Sequence, residues 1–191
     1  LGKSQWALEE LEAAREAGAS DEVIALHLGI ARGRMGDLEG ASAEFDRAEA
    51  AGVARDELDY NRGVILTRHE KYEEALALFE GAHQRVPDSA PALRELARVQ
   101  LAISNRDGLG PESDLFQTSM TNVNRALDLA PGDWRCYELL GDLFRAQDDL
   151  LGAKEVYLKA MELGFNPTTQ LDNKYAEVEL KLREMGLSQD Q

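Results

Sequence analysis

The chain has 191 residues, of which 43% are apolar and 30% charged, and it carries a formal net charge of −15. That balance suits one extended globular domain rather than a disordered chain. The acidic surplus argues against nucleic acid or an anionic membrane as the main partner, and no apolar run approaches the roughly 18 residues that a membrane insertion needs.

Taken in chain order, the predicted elements follow a 34-residue period. Residues 1–21 read as the second helix of a truncated repeat, or as an N-terminal cap. Ala7, Leu11 and Ala14 stand one period ahead of Ala41, Phe45 and Ala48. Residues 22–55 form the first complete repeat, headed by Gly29. Residues 56–89 form the next, with Gly63 followed by Ala75, Phe79 and Ala82. The repeat at 90–133 is longer and has Ala97 in the glycine slot. Counting back from Pro131 places Phe116, Ser119, Val123 and Ala126 on its second helix. An insertion near 104–115 holds the loop formers Asn105, Asp107, Gly108, Gly110 and Pro111. It reads either as a partner-contacting loop or as a tolerated insertion with both helices lengthened by a turn. Residues 134–167 return to the normal length, with Gly141, Ala153, Tyr157 and Ala160. A last helix over 168–185 sets Leu171, Tyr175, Val178 and Leu182 in one apolar stripe, with Lys174, Glu177 and Glu179 on the wet faces. It caps the array, and 186–191 reads as a flexible tail.

A self-similarity of this length is the mark of a helical solenoid. Each repeat reads as two amphipathic helices. A glycine or alanine at the helix crossing lets the backbones approach, and the aromatic residue of the second helix fills the space between repeats. Gly36-Asp37, Glu70-Lys71 and Asp148-Asp149 are the turns, with Gly36 ending one helix and Asp37 capping the next. Ser20 and Ser89 read as further caps. Pro87 and Pro131 stop second helices, and Pro167 sits two residues later in its own repeat.

Leu28-Gly29, Ala41, Phe45 and Ala48, then Gly63, Ala75, Phe79, Ala82 and Pro87, then Tyr137, Leu140-Gly141, Phe144, Ala153, Tyr157 and Ala160 resemble the tetratricopeptide repeat (TPR) family. The resemblance covers nearly the whole chain. It implies an all-α, right-handed helical-hairpin solenoid with a C-terminal capping helix. It also implies that the first helices line a concave groove. By that alignment the groove receives Val23, Leu26, Ile30 and Arg34 from the first complete repeat. It receives Tyr60, Asn61, Val64 and Arg68 from the second, Arg94 and Arg98 from the third, and Arg145 from the fourth. Asn61, Arg94 and Arg98 match half of the family's carboxylate clamp, while Leu26 and Ile30 replace its other members.

The expected ligand is therefore a protein or peptide, with an apolar anchor on Leu26, Ile30, Tyr60 and Val64 and an acidic group or C-terminal carboxylate on the arginines. In the competing reading, Arg94 and Arg98 pair with Glu57, Glu95 or Glu138.

Nothing assembles a nucleophile, acid and base, so the expectation is a non-catalytic interaction scaffold or adaptor with no cofactor and no metal. His27, His69 and His83 lack ligand spacing. Cys136, the only cysteine, excludes an internal disulfide and reads as packing. It suits a reducing compartment such as the cytoplasm. Lys3, Glu9, Glu10 and Glu12 interrupt any signal-peptide pattern. With Leu1 in first place, a periplasmic or other compartment stays open. The alternative function is a self-association module giving a homo-oligomer, or a regulatory interaction domain of a larger protein.

Overall fold

Small side chains at fixed intervals bring helices together in pairs, and the computed structural model of the chain shows where. It describes residues 2–164 and 169–187. Pro167, Thr168 and residues 188–191, on which expectations were placed, lie outside the described residues. Among the described residues there are ten α-helices and no strand. They are α1 (Gly2–Glu16), α2 (Asp21–Met35), α3 (Leu38–Ala50), α4 (Arg55–Arg68), α5 (Tyr72–Arg85), α6 (Ala90–Arg106), α7 (Asp114–Leu129), α8 (Trp134–Ala146), α9 (Leu150–Leu163) and α10 (Thr169–Glu184). They form two compact units, Leu1–Pro87 and Asp88–Gln191.

In the first unit, α2 pairs with α3 and α4 with α5. A Cβ added to Gly29 would lie 2.8 Å from Phe45, and one on Gly63 would lie 2.6 Å from Phe79. A methyl group does not fit at either crossing, so the rings rest on bare backbone. Both rings are buried, as are Ala41, Ala48, Ala75 and Ala82 beside them. The hairpins stack in the same way: Ile65 of α4 occupies the space over Gly33 of α2. His69 Nε2 donates to the Gly33 carbonyl at 2.8 Å. Two buried carboxylates meet arginines across helices. Glu44 of α3 accepts from Arg15 of α1, and Asp59 of α4 accepts from Arg85 of α5 at 2.5 Å.

The second unit begins with the hairpin of α6 and α7. Its crossing residue is Ala97, whose carbonyl accepts a 2.7 Å hydrogen bond from Ser119 Oγ. Phe116, Ser119, Val123 and Ala126 are the buried residues of α7. The hairpin of α8 and α9 returns to glycine, with Gly141 under Tyr157. Leu171, Val178 and Leu182 of α10 join Tyr157 and Ala160 of α9 in one buried cluster.

Residues 104–106 belong to α6, and Asp114 and Leu115 to α7, so the segment between them is 107–113 rather than the whole of 104–115. The extra length went largely into the helices, which run to 17 and 16 residues. The short segment is tied at both ends. Ser104 Oγ donates to the Leu109 carbonyl at 3.0 Å, and Gln117 Nε2 donates to the Pro111 carbonyl at 2.7 Å.

The three tight turns share a left-handed residue: Gly36 (φ 93°), Glu70 (φ 60°) and Asp148 (φ 62°). Asp37 and Asp149 then cap the next helix by accepting from Gly40 N at 2.8 Å and Gly152 N at 2.9 Å. Ser89 caps α6. Ser20 occupies the cap position of α2 without a side-chain hydrogen bond, so it contributes geometry and not the bond expected of it. α5 and α7 end two residues short of Pro87 and Pro131.

A Cβ at positive φ costs about 1–2 kcal/mol, offset in part by the greater freedom of glycine in the unfolded chain. Glu70→Gly is therefore expected to raise the unfolding free energy by about 0.5–1 kcal/mol, and Gly36→Ala to lower it by about 1 kcal/mol. Urea denaturation at matched slope reads both; equal effects at the two sites would contradict the shared turn geometry.

Candidate functional site

The first helices of the first unit carry the apolar candidates. Leu26 lies in the core with Ala25 and Phe45, at 7% exposure, and offers little surface to a ligand. Ile30 packs against the same cluster but stays half-buried. Tyr60, Asn61 and Val64 of α4 are also half-buried. The Tyr60 ring stands edge-on to Phe79, with centroids 6.2 Å apart, so a side chain of the sealed core fixes one that reaches the surface. Asn61 Nδ2 donates to the Glu57 carbonyl at 2.8 Å, one turn back along its own helix. Arg68 and Arg34 are exposed, and Val23 is open to solvent.

The second unit treats its arginines differently. Arg94 is only 7% exposed. Its Nε and Nη2 donate to Glu95 Oε1 at 3.1 and 3.0 Å, and its Nη1 donates to Asp133. Arg98 Nε donates to the other oxygen of Glu95 at 3.2 Å. Glu95 thus lies between the two guanidinium groups. Of the three carboxylates weighed from the sequence, Glu95 is the one they meet in this unit, and Asp133 joins it. Glu138 is engaged elsewhere. Lys174 of α10 donates to Glu138 at 2.8 Å and to Asp142 at 2.6 Å.

Lys174, expected on a wet face, is instead held between two carboxylates of α8. Glu138 and Asp142, four apart on one helix face, were the available signal. Asp142 also accepts from the Tyr157 hydroxyl at 2.7 Å. Burial pushes that phenol well above its ordinary pKa, and the Asp142 charge adds to the effect. Arg145 pairs with Glu177 at 3.3 Å. Beside it opens a pocket of about 470 Å³, bordered by Asn105, Asp142, Lys174 and Lys181.

Cys136 is fully buried, and burial pushes its thiol up to about 11, so the thiolate needed for reactivity is suppressed. Among the described residues no group of three or more His, Cys, Asp or Glu side chains is arranged to hold a metal ion. No helix among them is long and apolar enough to cross a membrane.

The chain is similar to solved structures of helical-repeat proteins. A thermophilic TPR protein of Thermus thermophilus is 17% identical, with 87% of this chain and 84% of that chain covered, at a TM-score of 0.70. MamA from Desulfovibrio magneticus is 24% identical, with 85% and 86% covered, at 0.59. YrrB, described as a TPR protein with an unusual peptide-binding site, is 17% identical, with 92% and 84% covered, at 0.57. No protein-family model matches the chain, and no curated protein matches it in sequence. The fold is all-α and of the helical-hairpin solenoid class. Within that class the fold is TPR-like.

The two arginines of α6 differ in what they support. Removing the carboxylate from a buried pair costs several kcal/mol, whereas exposed pairs contribute about 0–1 kcal/mol. Glu95→Gln is expected to lower stability by roughly 3 kcal/mol, and Arg98→Ala by less than about 1 kcal/mol. Thermal or urea unfolding reads the difference, and equal losses would show that Arg98, too, is structural.

Proposed function

We propose that the chain is a non-catalytic interaction scaffold that binds a peptide or protein segment on the exposed face of its first helices. The observation that carries this reading is a set of half-open side chains over a sealed core in the first unit. The rings of Phe45 and Phe79 on the second helices are sealed. Ile30, Tyr60 and Val64, on the first helices, stay half open. Half-open aromatic and branched side chains on a rigid support are suited to anchor a partner, since burying them releases water at little cost in order.

The peptide-binding site named for YrrB supports the same reading by analogy of fold. In the second unit, Arg98 and Arg145, each shared with a carboxylate, are a separate candidate for an acidic group, with Lys181 beside Arg145. Leu26 and Arg94, being buried, hold the surface from below. No chemistry is assigned to the site: Glu95 is held by Arg94 and Arg98, Lys174 by Glu138 and Asp142, and the Cys136 thiol is buried.

Selection of peptides from a displayed random library against the whole chain tests this. The recovered peptides are expected to carry an apolar anchor. Tyr60→Ala with Val64→Ala should weaken them at least tenfold, a loss of about 1.4 kcal/mol. Arg98→Glu, in the second unit, is expected to weaken peptides selected for a carboxylate. Peptides whose affinity is unchanged by every one of these substitutions would move the binding face elsewhere.

A further inference from the structure

Every complete hairpin of the chain presses the same two places together. A small residue of the first helix (Gly29, Gly63, Ala97 or Gly141) lies under the second helix. Among the described residues, two helices hold one half of this arrangement each and leave it open.

α1 has the second-helix pattern. Ala7, Leu11 and Ala14 precede Ala41, Phe45 and Ala48 by one period. The latter three are buried, while Ala7, Leu11 and Ala14 are only half-buried, and Trp6 beside them is 65% exposed. A pocket of about 380 Å³ opens here, between Trp6, Ala7 and Leu11 of α1 and His27, Ile30 and Arg34 of α2.

α10 has the first-helix pattern. Cys136, Leu140-Gly141 and Leu143 of α8 recur as Leu171, Tyr175-Ala176 and Val178. Leu171 and Val178 are buried as their counterparts are. Ala176, in the small-residue slot, is exposed, and Leu180 beside it is 58% exposed. A second pocket, of about 340 Å³, lies over Tyr175, Ala176 and Leu180.

We propose that these two faces belong to each other across copies of the chain. α10 of one copy supplies the first helix, α1 of the next supplies the second, and the junction completes a hairpin. A second copy is the occupant for two reasons. Sizes match: Ala176 is larger than the glycines at its slot, and Leu11 is smaller than the rings at its own, so the volume exchanged is compensated. Finally, the pattern on each face is that of contacts the chain already makes in its own hairpins, so the junction continues an interface already present. The contact joins two different faces, so it is heterologous and grows head to tail. It does not depend on peptide binding by the first helices.

Sedimentation velocity of the full chain over a concentration series tests the proposal, with Trp6→Lys and Ala176→Glu as variants. Both positions are exposed, and unchanged circular dichroism melts confirm that the variants fold. The wild type is expected to gain mass through dimer and larger species as concentration rises, and each variant to lose that association. An equal mixture of the two variants is the decisive sample. Trp6→Lys keeps an intact α10 and Ala176→Glu an intact α1, so the mixture is expected to form a dimer and stop there. A wild type that stays monomeric overturns the proposal and gives these faces to another partner or segment. Association that neither substitution disturbs overturns it, and so does a mixture that fails to pair.

Discussion

A ring laid over a residue without a side chain is what closes the hairpins. Phe45 on Gly29, Phe79 on Gly63 and Tyr157 on Gly141 leave no room for a methyl group. The pair works in both directions. The glycine admits the ring, and the buried ring, contributing about 1.5–3 kcal/mol by removal from water, offsets the flexibility that glycine brings to a helix. Neighbouring hairpins use a related device, with Ile65 seated over Gly33. Because the device repeats at a fixed interval, each hairpin has the same apolar demand on both sides, and only the next hairpin meets it.

The third repeat shows how far the device can be altered. Ala97 replaces the glycine, and Ser119 hydrogen-bonds to its carbonyl, so a hydrogen bond to backbone forms where the other crossings seat a ring on glycine. The longer helices of this repeat carry Gln100 and Asn122, which hydrogen-bond to each other at 3.0 Å. Ionic contacts then decorate the faces that packing leaves. Glu95 joins Arg94 and Arg98, and Lys174 joins Glu138 and Asp142. A buried carboxylate with two cationic neighbours fixes side-chain positions more than it adds stability, and a surface of fixed charges suits recognition.

The period was legible because close helix crossings demand small residues, and small residues at equal intervals are hard to produce in any other way. The same logic placed Phe116, Ser119, Val123 and Ala126 on one buried face of α7 although its repeat is out of phase. The extent of the loop was less legible. Asn105 and Arg106 have loop-like and helical tendencies respectively, and a local hydrogen bond from Ser104 Oγ to the Leu109 carbonyl ties the chain just past the end of α6. The candidate site was legible in position and not in charge state. Spacing put Arg94 and Arg98 on one face, but whether a guanidinium is open or engaged depends on Glu95 and Asp133, and Asp133 is distant in sequence. Lys174 was misplaced for the same reason, since its partners lie on another helix.

The central claim is energetic: the ring and the bare backbone beneath it act as one unit. A double-mutant cycle at Gly63 and Phe79 measures it most directly. Gly63→Leu and Phe79→Ala should each destabilise the chain in urea unfolding. The double variant should lose less than the two losses added, by about 1 kcal/mol or more, because the leucine enters the space the ring has left. Additive losses would contradict the account, since they would mean that the two residues are buried in the same hairpin without holding it together.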